Sequence, residues 1–247
     1  MATDPVTPVA PVALVAPVAA VNLRPVGGSR ASRIWRSGEL GAADAGALAF
    51  LGRPTYVDLR SDAEVARAPL AVSLRAAGWR WVRAPITGYD HAALAAAVPS
   101  PEAYAAYYVA MLRTAGPQLC RALAAIAGAL PDGKVVVGCH AGKDRTGVVS
   151  AALLELAGAG RELVIADYVA GNAALAAGLP RFRAKWERRG LTAELYRERL
   201  MCRPETLALV YAALAPDDLQ TSICRHGLAP DAAQRLIAAL ALPRRTP

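Results

Sequence analysis

The run Lys134-Val135-Val136-Val137-Gly138 constrains the fold of this chain more than any other stretch of its sequence. Its β-branched residues favour a short strand, and an unbroken apolar run of this length is typical of a strand buried on both faces of a parallel sheet. A loop of small and polar residues, 139–145, follows, and the apolar segment 148–156 then predicts a helix. A strand, a short loop and a helix in this order indicate an α/β fold.

Other segments extend this prediction to the whole chain. Further strands are predicted at 33–38, 55–60 and 79–82, and helices at 42–51, 101–115 and 117–130. From 161 to 242 the pattern is helical, with breaks at 178–180, Gly190 and Pro204. We therefore expect a central, mostly parallel sheet of about four to five strands flanked by helices, with a helical C-terminal part.

The N-terminal segment differs in composition from the rest. Residues 1–20 are rich in Pro, Ala and Val, which predicts a disordered or extended tail, and residues 21–247 then form a single domain. The tail lacks the Lys or Arg that opens a secretory signal, so a cytoplasmic location is expected, with export without a signal peptide left open. No run approaches the ~20 apolar residues of a membrane span, so stable membrane insertion is not expected.

The charge of the chain favours an anionic partner. The formal net charge is +8, carried by 25 Arg and 3 Lys. Nucleic acid, anionic lipid and a phosphorylated substrate all suit this charge, but without a dense basic run or interleaved aromatic residues no nucleic acid is expected. The 4 cysteines lie far apart with no CxxC pair, which argues against a disulfide framework and a zinc site. No metal and no cofactor is expected. The oligomeric state stays open, with a monomer as the simplest expectation.

The loop Cys139-His140-Ala141-Gly142-Lys143-Asp144-Arg145 has the composition of an anion site. Loop amides that turn inward and the N-terminus of the following helix both attract negative charge, which stabilises a thiolate at Cys139. The planar guanidinium of Arg145 can hold two oxygens of a phosphoryl group, and Gly142 lets the chain curl tightly. Cys139 is therefore predicted to attack phosphorus and form a phosphocysteine that water hydrolyses, without a metal. Thr146 can offer a hydroxyl to the departing sulfur.

The string CHAGKDRTG resembles the signature H-C-x-x-G-K-D-R-T-G of bacterial tyrosine phosphatases of dual or triple specificity, a branch of the protein-tyrosine phosphatase superfamily. NLRPVGG, RSGEL, YVDLRSDAE, AYYVAMLR and DYVAGN resemble further motifs of this branch, over roughly residues 21 to 172. Gly138 stands where a histidine usually precedes the nucleophile, and Pro25 where an acidic residue is common. The resemblance implies hydrolysis of phosphotyrosine, and also of phosphoserine, phosphothreonine and phosphoinositides. Substrate-binding positions are predicted at His140, Ala141, Gly142, Lys143, Thr146, Gly147 and Asp58.

Three carboxylates compete for the role of general acid, which must protonate the leaving oxygen. Asp144 lies within the loop, and the similar branch is thought to use this position. Asp90 follows a strand on a turn and resembles the movable acid loop of other superfamily members, with a helix N-cap as the competing interpretation. Asp58 ends a strand, and pairing with an arginine that holds the loop in place is the stronger interpretation of its role. We rank them in this order.

Two further features border the predicted site. Lys143 would contact the phosphate or a second anionic group of an inositol ring, with a solvated loop lysine as the alternative, and His140 would border the pocket without reacting. A stripe at helical spacing predicts core packing, with a helical lid over the pocket as the alternative. Its members are Tyr104, Tyr107, Tyr108 and Met111.

Other classes of function fit the loop less well. A non-catalytic phosphate- or phosphoinositide-binding module would need no nucleophile at Cys139. A P-loop nucleotide-binding protein would need glycine at Val137 and Ser or Thr at Asp144. Rhodanese or arsenate-reductase chemistry also uses a cysteine loop, but the GKDRTG half favours phosphate monoesters.

Overall fold

The computed structural model describes residues 20–41, 45–88, 94, 98–214 and 226–242. The predicted tail lies outside the described residues except for Ala20, which is buried. Within the described part, five strands form one sheet. They are β1 (Arg24–Pro25), β2 (Ile34–Ser37), β3 (Thr55–Asp58), β4 (Arg80–Arg83) and β5 (Val135–Gly138).

The strand order is β1-β2-β5-β3-β4, and only β1 runs antiparallel to its neighbour. The predicted buried strand, β5, therefore lies in the middle, with β2 on one side and β3 on the other. Its last residue, Gly138, pairs with Ser37 of β2 and with Asp58 of β3. Since parallel strands bring their carboxyl ends to the same edge, the segments that follow these three strands meet there, where open α/β sheets bind ligands.

Helices account for most of the remaining described residues. They are α1 (Asp62–Arg67), α2 (Val72–Ala76), α3 (Pro101–Thr114), α4 (Gly116–Ala129), α5 (Asp144–Leu156), α6 (Arg161–Val169), α7 (Asn172–Ala177), α8 (Arg183–Arg188), α9 (Ala193–Leu200), α10 (Pro204–Ala213) and α11 (Pro230–Leu240). Short 3-10 turns occupy Ala49–Leu51, Leu130–Asp132 and Leu179–Phe182.

Side chains of successive strand residues point to opposite faces of the sheet, so they pack into two hydrophobic clusters, one on each face. Val135 and Val137 point to the larger cluster, formed mainly with the long helices, whereas Val136 points to the smaller one. The smaller cluster also holds Trp35 of β2 and Tyr56 of β3. All three valines are fully buried. Burial on both faces explains why β5 is an unbroken apolar run.

The predicted fold class is confirmed: a mostly parallel sheet flanked by helices, followed by a helical C-terminal part. The structure differs from the prediction at 42–51, where the described residues form turns and the 3-10 turn Ala49–Leu51 instead of an α-helix. Residues 42–44 lie outside the described part. This segment packs Leu48 and Leu51 into the smaller cluster without completing an α-helical turn.

No single helix in the described part is both long enough and apolar enough to cross a membrane. One bent pair of segments, Arg161–Ala177 and Leu179–Arg188, meets the length and composition requirement jointly, with a bend of 79° between them.

Candidate active site

A cavity of about 790 Å³ opens at the carboxyl edge of the sheet. Its floor is the loop between β5 and α5, which contributes residues 139–141 and 143–145 to the lining. Cys139 directly follows β5 and is only 2% exposed, so its thiol is reached from the cavity and from little else. The structure thus brings the predicted nucleophile, Asp144 and Arg145 together at one end of a cavity.

Gly142 allows the loop to turn back against β2. Its φ is +69°, in the left-handed region, and a Cβ at this position would lie 2.5 Å from the backbone carbonyl carbon and oxygen of Ser37. Backbone cannot yield as a flexible side chain can, so any other residue would displace the loop. The glycine predicted from the sequence is required here on both conformational and steric grounds.

Two loop carbonyls are held by hydrogen bonds from outside the loop. The Gly142 carbonyl accepts from Nδ2 of Asn22 at 2.7 Å and from a terminal guanidinium nitrogen of Arg36 at 2.8 Å. The His140 carbonyl accepts from the backbone N–H of Glu39 at 3.0 Å. In a trans peptide the N–H points opposite to the C=O, so the N–H groups that follow, those of Ala141 and Lys143, point away from these donors. This arrangement turns amides towards the side of the loop where an anion would sit.

A buried ion-pair triad lies behind the loop. Arg36, fully buried, donates to Oδ2 of Asp167 at 2.5 Å, while Arg24 donates to Oδ1 of the same carboxylate at 3.1 Å. The backbone N–H of Gly27 adds a third donor to Oδ1. Burial raises the pKa of Asp167, but the two arginine charges and these hydrogen bonds outweigh it and lower the pKa. The triad therefore stays charged and fixes Arg36, which in turn positions the Gly142 carbonyl.

Arg145, in the first turn of α5, is held by Glu64 of α1. Its two terminal nitrogens donate to the two carboxylate oxygens at 2.6 and 2.7 Å, a bidentate pair that fixes the plane of the guanidinium. Glu64 is itself fixed by a capping box, in which it accepts from the backbone N–H of Ser61 and its own N–H donates to the Ser61 hydroxyl. Burial raises the pKa of Glu64, but the hydrogen bonds and charge of Arg145 outweigh it, and the pKa is well below its usual range.

Asp144, the first residue of α5, lies between an amine and a phenol. The Tyr108 hydroxyl donates to its Oδ1 at 2.7 Å, and Nζ of Lys143 is 3.4 Å from the same oxygen. Burial raises the pKa of Asp144, but the charge of Lys143 and the Tyr108 hydrogen bond outweigh it and lower the pKa. In the ligand-free protein this carboxyl is therefore ionised near neutral pH. Tyr108 also contacts the Tyr168 hydroxyl at 3.0 Å, which extends the network away from the cavity.

Lys143 is not a solvated loop lysine, because its side chain is only 1% exposed. Its Nζ donates to the carbonyl of Arg199 at the end of α9, at 2.8 Å, and lies 3.6 Å from the centroid of the Tyr104 ring. Burial lowers its pKa, but the charge of Asp144 outweighs that effect and raises the pKa. Lys143 therefore joins the loop to α9 and contributes a permanent positive charge to the cavity.

Comparisons with known proteins agree with this geometry. A sequence model described as the tyrosine phosphatase family matches residues 18–218. The chain belongs to the tyrosine phosphatase family. A tyrosine-protein phosphatase of Nostoc commune is 35% identical over 132 residues, which is 53% of this chain and 44% of that protein. The match thus spans less than half of the length of this relative.

The other residues predicted for the site of this tyrosine phosphatase family member border the cavity, lie in α5 behind the loop, or fall outside the described residues. His140 borders the cavity as expected; its Nδ1 lies 2.9 Å from Glu39, and its ring is tilted against Phe182. Thr146 is fully buried, and its hydroxyl has no hydrogen-bond partner among the described residues. Gly147 lies in α5 behind the loop, where its N–H bonds to the Lys143 carbonyl. Asp90 lies outside the described residues.

Asp58 is placed away from the cavity. It is fully buried at the end of β3, and its carboxylate accepts from Nε and a terminal nitrogen of Arg60 at 2.9 and 2.7 Å. The arginine partner expected for Asp58 is therefore confirmed. Arg60 also reaches Glu39 at 3.2 Å, so Asp58 contributes to the site through Arg60 and Glu39 and does not line the cavity.

The absence of a histidine before the nucleophile has a structural counterpart. A Cβ on Gly138 would lie 2.6 Å from the hydroxyl oxygen of Tyr56, a residue of the adjacent strand β3. The Tyr56 ring thus occupies the space that a side chain at 138 would need. A histidine here would require the tyrosine to move, so Gly138 and Tyr56 form a packing pair.

Several residues that build the site carried no predicted role, although the motifs that contain them had been recognised. Their shared signal is a charged or amide side chain inside a motif that otherwise forms buried structure. They are Asn22, Arg36, Glu64 and Asp167. Tyr108, predicted only for core packing or a lid, adds a hydroxyl contact to Asp144. No group of three or more His, Cys, Asp or Glu side chains among the described residues could hold a metal ion.

Helices and a 3-10 turn form another part of the cavity lining. Phe182, at the end of a 3-10 turn, contacts the rings of both His140 and Tyr196, and Trp186 of α8 packs against Tyr196 in turn. Tyr104 and Tyr107 of α3 also line the cavity and are buried. The predicted tyrosine stripe belongs to the core, and two of its residues also line the cavity.

Proposed function

We propose that this chain is a phosphatase that hydrolyses phosphate monoesters through a phosphocysteine intermediate, with protein phosphotyrosine as its main substrate. The observation that carries the proposal is the position of Cys139 at the floor of a cavity, within a loop whose carbonyls are held outward by Asn22, Arg36 and Glu39. A nucleophile under inward-turned amides and a fixed guanidinium fits phosphoryl transfer, which depends on positioning and electrostatic stabilisation.

The reaction runs in two steps. Cys139 Sγ attacks phosphorus, the ester oxygen leaves, and the equatorial oxygens are held by the loop amides and Arg145. In the second step water attacks the phosphocysteine and the thiolate leaves. The buried Thr146 hydroxyl, which has no other hydrogen-bond partner among the described residues, donates to the departing sulfur.

Asp144 is the proposed general acid. Its lowered pKa in the free protein leaves it ionised, whereas an acid must carry a proton. A bound phosphate dianion next to the carboxyl opposes its ionisation and raises its pKa, so the proton is taken up together with the substrate. Asp90 remains the alternative, because Gly88, two residues before it, lines the cavity.

The lining of the cavity supports an aryl phosphate substrate. Tyr104, Tyr107 and Phe182 provide aromatic walls, which suit the ring of a phosphotyrosine. At about 790 Å³ the cavity also has room for phosphoserine, phosphothreonine or an inositol ring, which we propose as further substrates. The GKDRTG sequence supports membership in the dual- or triple-specificity branch.

The test is hydrolysis of para-nitrophenyl phosphate and of a phosphotyrosine peptide, in the presence of a metal chelator. We expect Cys139→Ser to lose at least about a thousandfold in kcat. The matched control is Cys120→Ser, which makes the same exchange at a buried cysteine of α4 and should keep activity. Activity that survives Cys139→Ser, or that the chelator removes from the wild type, would overturn the mechanism.

The same assay assigns the acid. Asp144→Ala should lower kcat for the phosphotyrosine peptide by about a hundredfold or more, and by less for para-nitrophenyl phosphate, whose more acidic phenol needs less protonation. Asp90→Ala is the parallel variant. A large leaving-group-dependent loss in Asp90→Ala with a nearly silent Asp144→Ala would move the assignment to Asp90.

A further inference from the structure

A group of basic side chains from one helix lines the same cavity as the loop. Lys185 and Arg188 belong to α8, and Arg189 follows directly; we call these three residues the basic wall. Their spacing of three and four positions puts them on one face of the helix. Lys185 is half-buried, and the two arginines are exposed at the mouth. The basic wall thus extends from inside the cavity to the surface.

The charge of the cavity is unbalanced. Of the described residues that line it, eight are Arg or Lys and three are Asp or Glu. Each of the three carboxylates pairs with a cation that does not belong to the basic wall: Glu64 pairs with Arg145, Asp144 with Lys143, and Glu39 with Arg60. Within the described part of the chain, the side chains of the basic wall form no ion pair with a carboxylate.

The cations of the wall also crowd one another. Burial and the nearby charge of Arg189 lower the pKa of Lys185 to about 8. Arg145 lowers it further, whereas Glu64 and Glu39 act in the opposite direction without cancelling the effect. An anion placed against the wall would relieve this repulsion. The phosphate held by the loop contacts Arg145 and the loop amides, so the anion that suits the wall is a second group.

We propose that the basic wall binds carboxylates of an acidic peptide segment that flanks the phosphorylated residue. This inference rests on the proposed function and adds a substrate class to it. The cations follow one helix face out of the cavity, which suits side chains spaced along an extended peptide better than one phosphate on a compact ring. The cavity volume, about 790 Å³, lies in the upper part of the ~300–1,000 Å³ range of small-molecule pockets, so it holds more than the phosphorylated side chain.

The experiment compares two phosphotyrosine peptides that differ only in their flanks, Asp and Glu in one and Asn and Gln in the other. Binding to Cys139→Ser protein is measured by fluorescence polarisation, and kcat/KM is measured with the active enzyme. We expect the acidic peptide to be preferred about tenfold, and the double variant Lys185→Gln/Arg188→Gln to reduce that preference to about twofold. Because the wall is partly solvated, 0.5 M salt should also reduce the preference.

Arg183→Gln is the matched control. Arg183 lies on the same helix, is 75% exposed and pairs with Glu187, and it does not line the cavity. Its loss removes one positive charge, half of the change in the double variant, and the preference should remain about tenfold. An equal drop in Arg183→Gln would overturn the proposal in favour of a general effect of net charge.

Two other results would overturn it. The first is equal binding of the acidic and amide peptides by the parent protein. The second is a preference that appears only for a soluble inositol bisphosphate over a monophosphate, with the peptides indistinguishable, which would assign the wall to a ring phosphate. Failure of the proposed function gives a different result. A protein that hydrolyses neither peptide but binds the acidic one about tenfold more tightly supports peptide binding by the basic wall and contradicts the phosphatase activity.

Discussion

The floor and the basic wall face the same cavity but are built in different ways. On the floor, the residues that hold the loop are buried and paired: Arg36 is fully buried, and Asp167 accepts from two arginines. On the wall, Arg188 and Arg189 are exposed, and within the described residues no carboxylate pairs with them. The floor holds the reacting groups in place, whereas charges of the basic wall can be removed without displacing the loop.

The energetic consequences differ accordingly. Removing one member of a buried ion pair leaves an uncompensated charge and costs about 3–5 kcal/mol, a large part of the stability of a domain. Removing an exposed charge costs about 0–1 kcal/mol. Substitutions behind the floor should therefore impair folding and catalysis together, and substitutions in the wall should alter which substrates are preferred.

Among the variants that test this comparison, Gly142→Ala has the largest expected effect, and it shows whether the floor tolerates any displacement. The added Cβ would lie 2.5 Å from backbone atoms of Ser37 at a φ of +69°, so the loop must shift and the carbonyl contacts of Asn22 and Arg36 must change. We expect kcat/KM for para-nitrophenyl phosphate to fall at least about a hundredfold, because small misplacements in an active site carry losses of this size.

Gly158→Ala separates that steric effect from backbone strain. Gly158 has nearly the same φ, +70°, but nothing lies within 4 Å of the position of its Cβ. This variant should lose about 1 kcal/mol of stability, measured by chemical denaturation, and keep its activity. Similar activity losses in the two variants would show that the close contact with Ser37 does not control the loop.

The sequence predicted the floor better than its supports. Strand β5, the loop and the start of α5 are contiguous, so local pattern and the chemistry of Cys139 and Arg145 were sufficient. The supports depend on pairing over long sequence separations: Arg36 with Asp167, and Arg145 with Glu64. Hydrophobic periodicity carries no information about such pairs, and the motifs that hold these residues had been recognised without a role for their side chains.

The wall was missed for a different reason. In a chain with 25 Arg, the basic residues of the C-terminal helices do not stand out. Only the fold places Lys185 near Arg145, because α8 and the loop line the same cavity. Asp58 is a different case: its pairing with an arginine was expected, but its predicted position in the pocket differs from its burial beside Arg60.

A smaller effect is expected from Tyr108→Phe, which tests whether the floor controls the proposed acid. The hydroxyl stabilises ionised Asp144, so its loss should raise the pKa of that carboxyl. A general acid acts while it is protonated, so the alkaline limb of kcat for the phosphotyrosine peptide, which reports the acid in the substrate complex, should move to higher pH. A merely structural tyrosine would lower the rate without moving the limb.

Tyr211→Phe is the control for this shift. It removes a hydrogen bond of the same kind, from Tyr211 to Glu155, away from the cavity, and should leave the pH profile unchanged. If Tyr108→Phe also leaves the alkaline limb in place while Asp90→Ala abolishes it, Asp144 is not the acid, and the tyrosine contact has only a packing role.

The smallest effect concerns the wall alone and uses the low pKa of Lys185. Because that pKa is about 8, Lys185 is charged below pH 8 and loses its charge as the pH rises through it, under the influence of Arg189, Arg145, Glu64 and Glu39. The preference for the acidic over the amide phosphopeptide should therefore fall about twofold between pH 7 and pH 9. Both peptides carry the same phosphate and meet the same residues of the floor, so the titration of those groups cancels in the ratio between the two peptides.

Lys185→Arg distinguishes charge from shape in that measurement. Arginine keeps its charge throughout this pH range, so the preference should become independent of pH while remaining close to that of the wild type at pH 7. A preference that falls equally with pH in both proteins would mean that a group of the floor, and not Lys185, senses the pH. The two sides of the cavity would then be electrostatically coupled, and the separation of positioning from selectivity would not hold.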